Sequence, residues 1–262
     1  MIVALMGGLA NQLFGWAFGI SVAAQKKEEL LFTRFRVDND IKRSYSLGAF
    51  DINPVFTTYE THPIFHDSGC FNPNVYYAPS STTYFGYWQT EKYFNDPLVR
   101  KSLMLRNEPS EESKQIADEM RNSRSCFIHV RRGDYVKEPH TAKFHGNLNM
   151  EYYQTAMGLI QLAVSETKFF VFSDDPEWCR ANFPNCVVIG HNKPGDGLRP
   201  GKEHEDLWLM SQAQHAILAN SAFSWWGSWL GDEKQNRMVI APKKWFQEIE
   251  QSDLIPDRWM KI

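Results

Sequence analysis

A short apolar run, Ser125-Cys126-Phe127-Ile128, gives way at once to His129-Val130-Arg131-Arg132-Gly133-Asp134. The run is aromatic and β-branched, and it reads as a buried strand. Such a strand ending on two arginines, a glycine and a carboxylate limits the folds available. Guanidinium groups leave water only for a partner they can fork, usually a carboxylate or a phosphate. In proteins of βα construction, ligands lie at the strand carboxyl ends. The motif therefore reads as an anion site, with phosphate first and a structural Arg–Asp ion pair as the alternative.

The rest of the chain repeats this pattern. A strand over 2–6 runs into Gly7-Gly8 and a helix from about Leu13 to Gln25, the opening of a Rossmann-like unit. Residues 33–100 hold five prolines and many aromatics with no sustained period, and read as irregular. A helix with acidic residues in its first turn runs from Pro109 to about Met120. After it come strands at 125–130, 168–172, 186–189, 215–219 and 238–241, the last taken as final. Between them lie helices from Asn149, Pro176, Glu203 and Phe223 and a Gly- and Pro-rich loop over 190–202. Alternation of this kind implies parallel sheets in an α/β chain. The expected fold is two Rossmann-like halves with parallel sheets facing across a cleft. The boundaries read as 1–122 for an N-terminal half and 123–245 for a C-terminal half that carries the arginine motif. Residues 246–262 are expected to pack back on the N-terminal half.

Composition removes several classes. A net charge of −3 does not call for a nucleic-acid partner. No stretch approaches the roughly 20 apolar residues of a membrane span. The expectation is a cytoplasmic protein, with a peripheral position at the inner membrane face as a variant. The cysteines Cys70, Cys126, Cys179 and Cys186 show neither CxxC nor metal spacing and read as reduced. No histidine or acidic pattern asks for a metal, and no cofactor is expected. Gly7-Gly8 lacks the GxGxxG spacing of a nicotinamide site, and there is no GxSxG elbow. Aromatics at 14% suit sugar faces as well as a core.

Four polar clusters follow strands, at 7–12, 129–134, 173–175 and 220–224. Arg131 and Arg132 suit a pyrophosphate, and strand alternation puts Arg131 on the side of His129. Asn220, Ser221 and Ser224 open a helix, where free N–H groups favour phosphate; plain N-capping serves equally well as an explanation. Asp174 or Asp175 suits the N1–H and amino group of guanine, or caps the helix at Pro176. Gly8 permits close backbone approach, with Asn11 and Gln12 as polar groups beside it. Trp225, Trp226 and Trp229 at helical spacing read as core, although Trp225 adjoins the serines and stays a donor-side candidate. Tyr87, Trp88 and Gln89 are candidates for stacking on an acceptor sugar, with core as the alternative.

These segments resemble bacterial α-1,2-fucosyltransferases of glycosyltransferase family 11. The resemblance rests on Gly7-Gly8-Leu9-Ala10-Asn11-Gln12-Leu13-Phe14, His129 to Val136, Phe172 to Pro176, Asn220 to Gly227 and Ala241 to Phe246. It implies a GT-B fold, GDP-β-L-fucose as co-substrate, inversion at the sugar, no metal, and the 2-hydroxyl of a terminal galactose in an oligosaccharide as acceptor. It makes His129, Arg131 and Arg132 the pyrophosphate and fucose contacts, Asp174 or Asp175 the guanine reader, and Ser221 to Ser224 a phosphate contact. Inversion in one step needs a base near the acceptor oxygen. Asp134 is the candidate, or else a salt-bridge partner, with Glu138 and His140 behind it. Two rivals share the pattern: a fucosyltransferase of α-1,6 or α-1,3 linkage, and a non-catalytic nucleotide or glycan binder.

Overall fold

The computed structural model describes residues 1–40, 43–193, 201–249 and 252–262, without the side chains of Asp134 and Lys137. Most of the loop expected over 190–202 thus lies outside the described residues. Two compact units emerge. One contains Met1–Glu108 with Ser252–Pro256, and the other Pro109–Pro194, Lys202–Gln251 and Asp257–Ile262.

In the first unit the order is β1 (Ile2–Ala4), α1 (Leu9–Lys26), β2 (Leu31–Thr33), α2 (Phe35–Asp38), β3 (Phe56–Thr57), β4 (Ile64–His66), β5 (Thr83–Phe85) and α3 (Asp96–Ser102). The strands form one sheet in the order β3-β2-β1-β5-β4. Every pairing is parallel, with Ile2 opposite Leu31 on one side and Thr83 on the other. The region expected to be irregular therefore supplies three of the five strands. They are two or three residues long, and pairing within the sheet, β3 to β2, β5 to β1 and β4 to β5, holds them where local sequence shows no period. Helix α1 begins at Leu9, ahead of the expected Leu13, and buries Leu13, Phe14, Ala17 and Phe18 among others.

The second unit contains α4 (Glu111–Arg121), β6 (Ser125–Val130), α5 (Gly133–Lys137), α6 (Pro139–His145), α7 (Met150–Ala163), β7 (Lys168–Ser173) and α8 (Pro176–Asn182). After these come β8 (Val187–Ile189), α9 (Glu203–Gln212), β9 (His215–Ile217), α10 (Ala222–Trp229), β10 (Val239–Ala241) and β11 (Met260–Lys261). The sheet order is β11-β10-β9-β6-β7-β8, again all parallel. Helix α4 groups with this unit, so the division falls between Glu108 and Pro109. The strand expected to be final is followed by β11, which pairs with β10 through Ile240–Met260 and Ala241–Lys261.

Two-residue alternation sorts β6 cleanly. Cys126, Ile128 and Val130 pack with Tyr153, Ala156 and Ile160 of α7 and Cys179 of α8. Ser125, Phe127 and His129 are left for the opposite face. There α10 buries Trp225, Trp226 and Trp229 completely or nearly so. A Cβ built on Gly227 would stand 2.7 Å from the Met210 side chain of α9, so only glycine lets these helices approach so closely. Among the described residues, no helix is long and apolar enough to cross a membrane.

Candidate active site

Register builds the centre of the site. His129 lies opposite Phe172 and Val130 opposite Ser173, so β6 and β7 end side by side. The next residues of each, Arg131-Arg132 and Asp174-Asp175, therefore emerge together at the carboxyl edge of the sheet. Nη1 of Arg131 lies 3.0 Å from Oδ2 of Asp174. The other oxygen of that carboxylate accepts the backbone N–H of Arg132 at 2.9 Å. Nε of Arg132 donates to Asp175 at 3.2 Å, and its guanidinium carbon sits 3.9 Å from the centroid of Trp178. Asp175 also caps α8 by accepting the Trp178 N–H at 3.2 Å. The structure thus shows the ion-pair arrangement of the motif: two half-buried guanidinium groups, each facing a carboxylate.

His129 is buried on the α10 side, its ring 5.7 Å from Phe223. Its Nδ1 is buried with no hydrogen-bond partner among the described residues. Burial pushes its pKa well down; the Asp174 charge pulls up, and Arg131 pushes down again. The imidazole is neutral at physiological pH, so it has one donor nitrogen and one acceptor.

Around this core the polar residues of the 220–224 cluster turn inward. The Asn220 amide donates to the carbonyls of His145 at 2.7 Å and Trp245 at 3.1 Å. Ser221 caps α10 through the Phe223 N–H, and the buried Ser224 hydroxyl donates to the carbonyls of Ala219 and Ser221 at 3.1 Å. Trp225 is fully buried, stacked with Trp229 at 6.1 Å between centroids. Expected as donor contacts, Ser224 and Trp225 are corrected to internal residues, because their polar or aromatic surface is already covered by protein. Of the polar residues there, Ser221 keeps partial exposure at a helix start.

The sequence profile described as Glycosyl transferase family 11 matches residues 12–261. The chain belongs to glycosyl transferase family 11. An Escherichia coli alpha-1,2-colitosyltransferase is 29% identical over 288 residues, covering 100% of this chain and 98% of the relative. A galactoside alpha-(1,2)-fucosyltransferase 1 from Mico humeralifer is 27% identical over 163 residues, 58% of this chain and 41% of that protein. Among solved structures, the fucosyltransferase NodZ from Bradyrhizobium has a TM-score of 0.55 at 15% identity, covering 87% of this chain and 91% of that one. NodZ, an alpha-1,6-fucosyltransferase, has also been co-crystallized with GDP. This likeness shows the fold, an α/β chain of GT-B type with two parallel sheets.

In the N-terminal unit of this family 11 glycosyltransferase, Gly7 has φ +67°, and a Cβ there would stand 2.7 Å from the Asn11 amide nitrogen. Gly8 precedes α1 without a side-chain cap. The Oδ1 of Asn11 accepts from Gln89 at 2.9 Å, bringing a donor-side and an acceptor-side candidate together. Tyr87 is exposed beside them. Gln12 is corrected to a clamp. It is fully buried, donates to the carbonyls of Gly7 at 2.8 Å and Ser44 at 2.9 Å, and accepts the Ser46 N–H at 2.9 Å. Trp88 is corrected to core: it is fully buried and stacks on Phe18 at 4.0 Å. Glu138 stands at the start of α6 and accepts the Thr141 hydroxyl at 3.3 Å, while His140 is exposed on α6. The Asp134 side chain lies outside the described residues.

Sequence reasoning missed a second polar cluster, on the C-terminal unit beyond β8 and at the start of α9. Oε2 of buried Glu205 accepts from the Ser110 N–H at 3.0 Å, the Ser110 hydroxyl at 2.6 Å and the Ser113 hydroxyl at 2.7 Å. Burial alone would raise its pKa; these hydrogen bonds and Lys202 outweigh it and hold the carboxyl at about 2. Next to it, Asp206 accepts the Asn192 amide at 2.8 Å, and burial pushes its carboxyl up to about 7 despite that bond, aided by Glu203 and Glu205. Oδ1 of Asn192 is buried with no hydrogen-bond partner among the described residues. The only signal was the run Glu203-His204-Glu205-Asp206, which looks like ordinary acidic residues in a helix's first turn. Among the described residues, no group of three or more His, Cys, Asp or Glu is placed to hold a metal.

Proposed function

We propose that this glycosyltransferase moves L-fucose from GDP-β-L-fucose to the 2-hydroxyl of a terminal galactose, with inversion at the sugar. The observation that carries the reading is the pair Arg131 and Arg132 at the end of β6, with guanidinium groups held half-buried and side by side by Asp174 and Asp175. A diphosphate brings a denser charge than either carboxylate and can take their place on the fork. The acceptor oxygen attacks C1 as the C1–O bond to GDP breaks. The electron pair leaves on the β-phosphate oxygen, where the arginines meet the growing charge and no resident metal is invoked. Neutral His129 offers a hydrogen bond to the donor. Asp134 takes the acceptor's proton, with Glu138 and His140 as substitutes. Asp174 or Asp175, released from arginine as the diphosphate takes its place on the fork, reads guanine's N1–H and amino group. Tyr87, Gln89 and Asn11 are the N-terminal unit's candidates for the acceptor.

Support for fucose and the 2-hydroxyl comes from the names of the relatives, and those names favour a second donor as well. Colitose is fucose without its 3-hydroxyl, and the relative matched along the whole chain is a colitosyltransferase. The test is transfer to lactose in EDTA, with GDP-fucose and GDP-colitose compared and the product linkage read by NMR. A 2-linked α-fucoside formed faster with GDP-fucose supports the reading. Faster transfer of colitose replaces the donor, and no GDP binding removes the site.

A further inference from the structure

Tyr135 follows Arg131 by one turn of chain on α5, and the guanidinium carbon of Arg131 lies 5.5 Å from its ring centroid. Arg131 thus has a π face as well as the Asp174 carboxylate for company. The ring is itself fixed. Its hydroxyl is 3.1 Å from the carbonyl of Asn220 and 3.0 Å from Nδ1 of His145. A carbonyl only accepts, so the single phenol proton goes to Asn220. His145 must then carry a proton on Nδ1 and donate it to the phenol oxygen. The two rings also stack, with centroids 4.5 Å apart at 15°. Phe246 packs on His145 at 5.3 Å, and the Asn220 amide ties the carbonyls of His145 and Trp245. Segments from α5, α6, the end of β9 and residues 245–246 converge on this one ring. Nothing in that convergence is needed to bury Tyr135 alone, since an aliphatic residue would fill the space.

We propose that Tyr135 is a positioning residue for the donor's diphosphate. Its ring holds the plane of the Arg131 guanidinium while Arg131 exchanges Asp174 for phosphate, and His145 with Asn220 hold the ring. An arginine loses much rotamer freedom when it is fixed, and a preset plane removes that loss from binding. This inference rests on the reading of Arg131 as a diphosphate ligand. The test is calorimetric GDP affinity at low ionic strength for wild type, Tyr135→Leu, Tyr135→Phe, Arg131→Ala and the Tyr135→Leu, Arg131→Ala double variant. Tyr135→Leu is expected to weaken GDP about fivefold, the scale of one cation–π contact, in the wild-type background and not at all in Arg131→Ala. Tyr135→Phe keeps the ring and falls between wild type and leucine, which also covers poor folding of the leucine variant. Equal losses in both backgrounds make Tyr135 a mere support and overturn the proposal, as does no loss in either. Unchanged affinity in Arg131→Ala is a different pattern: it removes the underlying reading, and the proposal with it.

Discussion

Replacing Glu205 with glutamine keeps the side chain's shape but takes away the charge on which three hydrogen bonds from Ser110 and Ser113 converge. Glutamate titrates near 4.5 in the open and at about 2 in this site. That difference corresponds to about 3 kcal/mol of stability at pH 7, since each pKa unit is worth about 1.4 kcal/mol. The folded pKa is depressed, so the contribution is complete above pH 4.5 and is lost as pH falls toward 2. By pH 3 roughly 2 kcal/mol of it has gone. The assay is urea unfolding of wild type and Glu205→Gln at pH 7 and pH 3, followed by the fluorescence of the buried tryptophans of α10. Because Glu205 is one of the charges that raise Asp206, the same pair is also compared in an Asp206→Asn background. Glu205→Gln is expected to be less stable by about 3 kcal/mol at pH 7, and the gap to narrow at pH 3. A gap that is absent at pH 7, or that stays the same width at pH 3, refutes the assignment of that charge as the clamp between α4 and α9.

Asp206→Asn should act with the opposite sign. A carboxyl raised to about 7 makes the folded state hold its proton more tightly, so wild-type stability declines as pH rises from 4 through 7. The variant should therefore gain on wild type across that window and stay level above it, in denaturation at pH 4.5 and pH 8; parallel curves would refute this. Gly133→Ala places a Cβ 2.5 Å from Oδ2 of Asp174, so the carboxylate must leave Arg131 or the Arg132 amide. GDP affinity should fall about tenfold as the fork loses its orientation, and unchanged binding would show that the clasp does not set it. Gln12→Leu strands two buried carbonyls and one N–H and should lower stability by about 3 kcal/mol in thermal unfolding. A loss under about 0.5 kcal/mol would mean that the clamp contributes nothing.

The C-terminal unit was legible because β6 and β7 run for six residues each, its longer helices show their period, and β6, β7 and β9 lead into polar clusters. The Arg131–Asp174 and Arg132–Asp175 pairings follow from the β6–β7 register, which sequence does not carry. The N-terminal sheet was illegible for a related reason: β3 has only Phe56 and Thr57, too short for alternation to appear. Gln12 and Ser224 were misread because residue type says nothing about direction. Once α1 starts at Leu9, Gln12 points inward, and a serine pointing inward meets its own backbone. Trp88 and Trp225 fall the same way, since large rings in a well-packed unit are covered before they can serve a ligand. The Glu205 network joins residues some ninety positions apart, Ser110 and Glu205, and no local pattern announces it.

Because Ser252–Pro256 groups with Met1–Glu108 while Met260 and Lys261 form the edge strand beside β10, neither unit is a continuous stretch of chain. During synthesis the N-terminal sheet is complete once β5 has emerged, yet Asp253, which accepts the Phe71 N–H and pairs with Lys92, arrives only after every strand of the second sheet but its last. Both units thus wait on residues 252–262, a short stretch that completes each of them. Domains usually fold one after the other as they emerge; here the last step is shared, and cleavage before residue 252 would leave two incomplete units rather than one intact and one damaged.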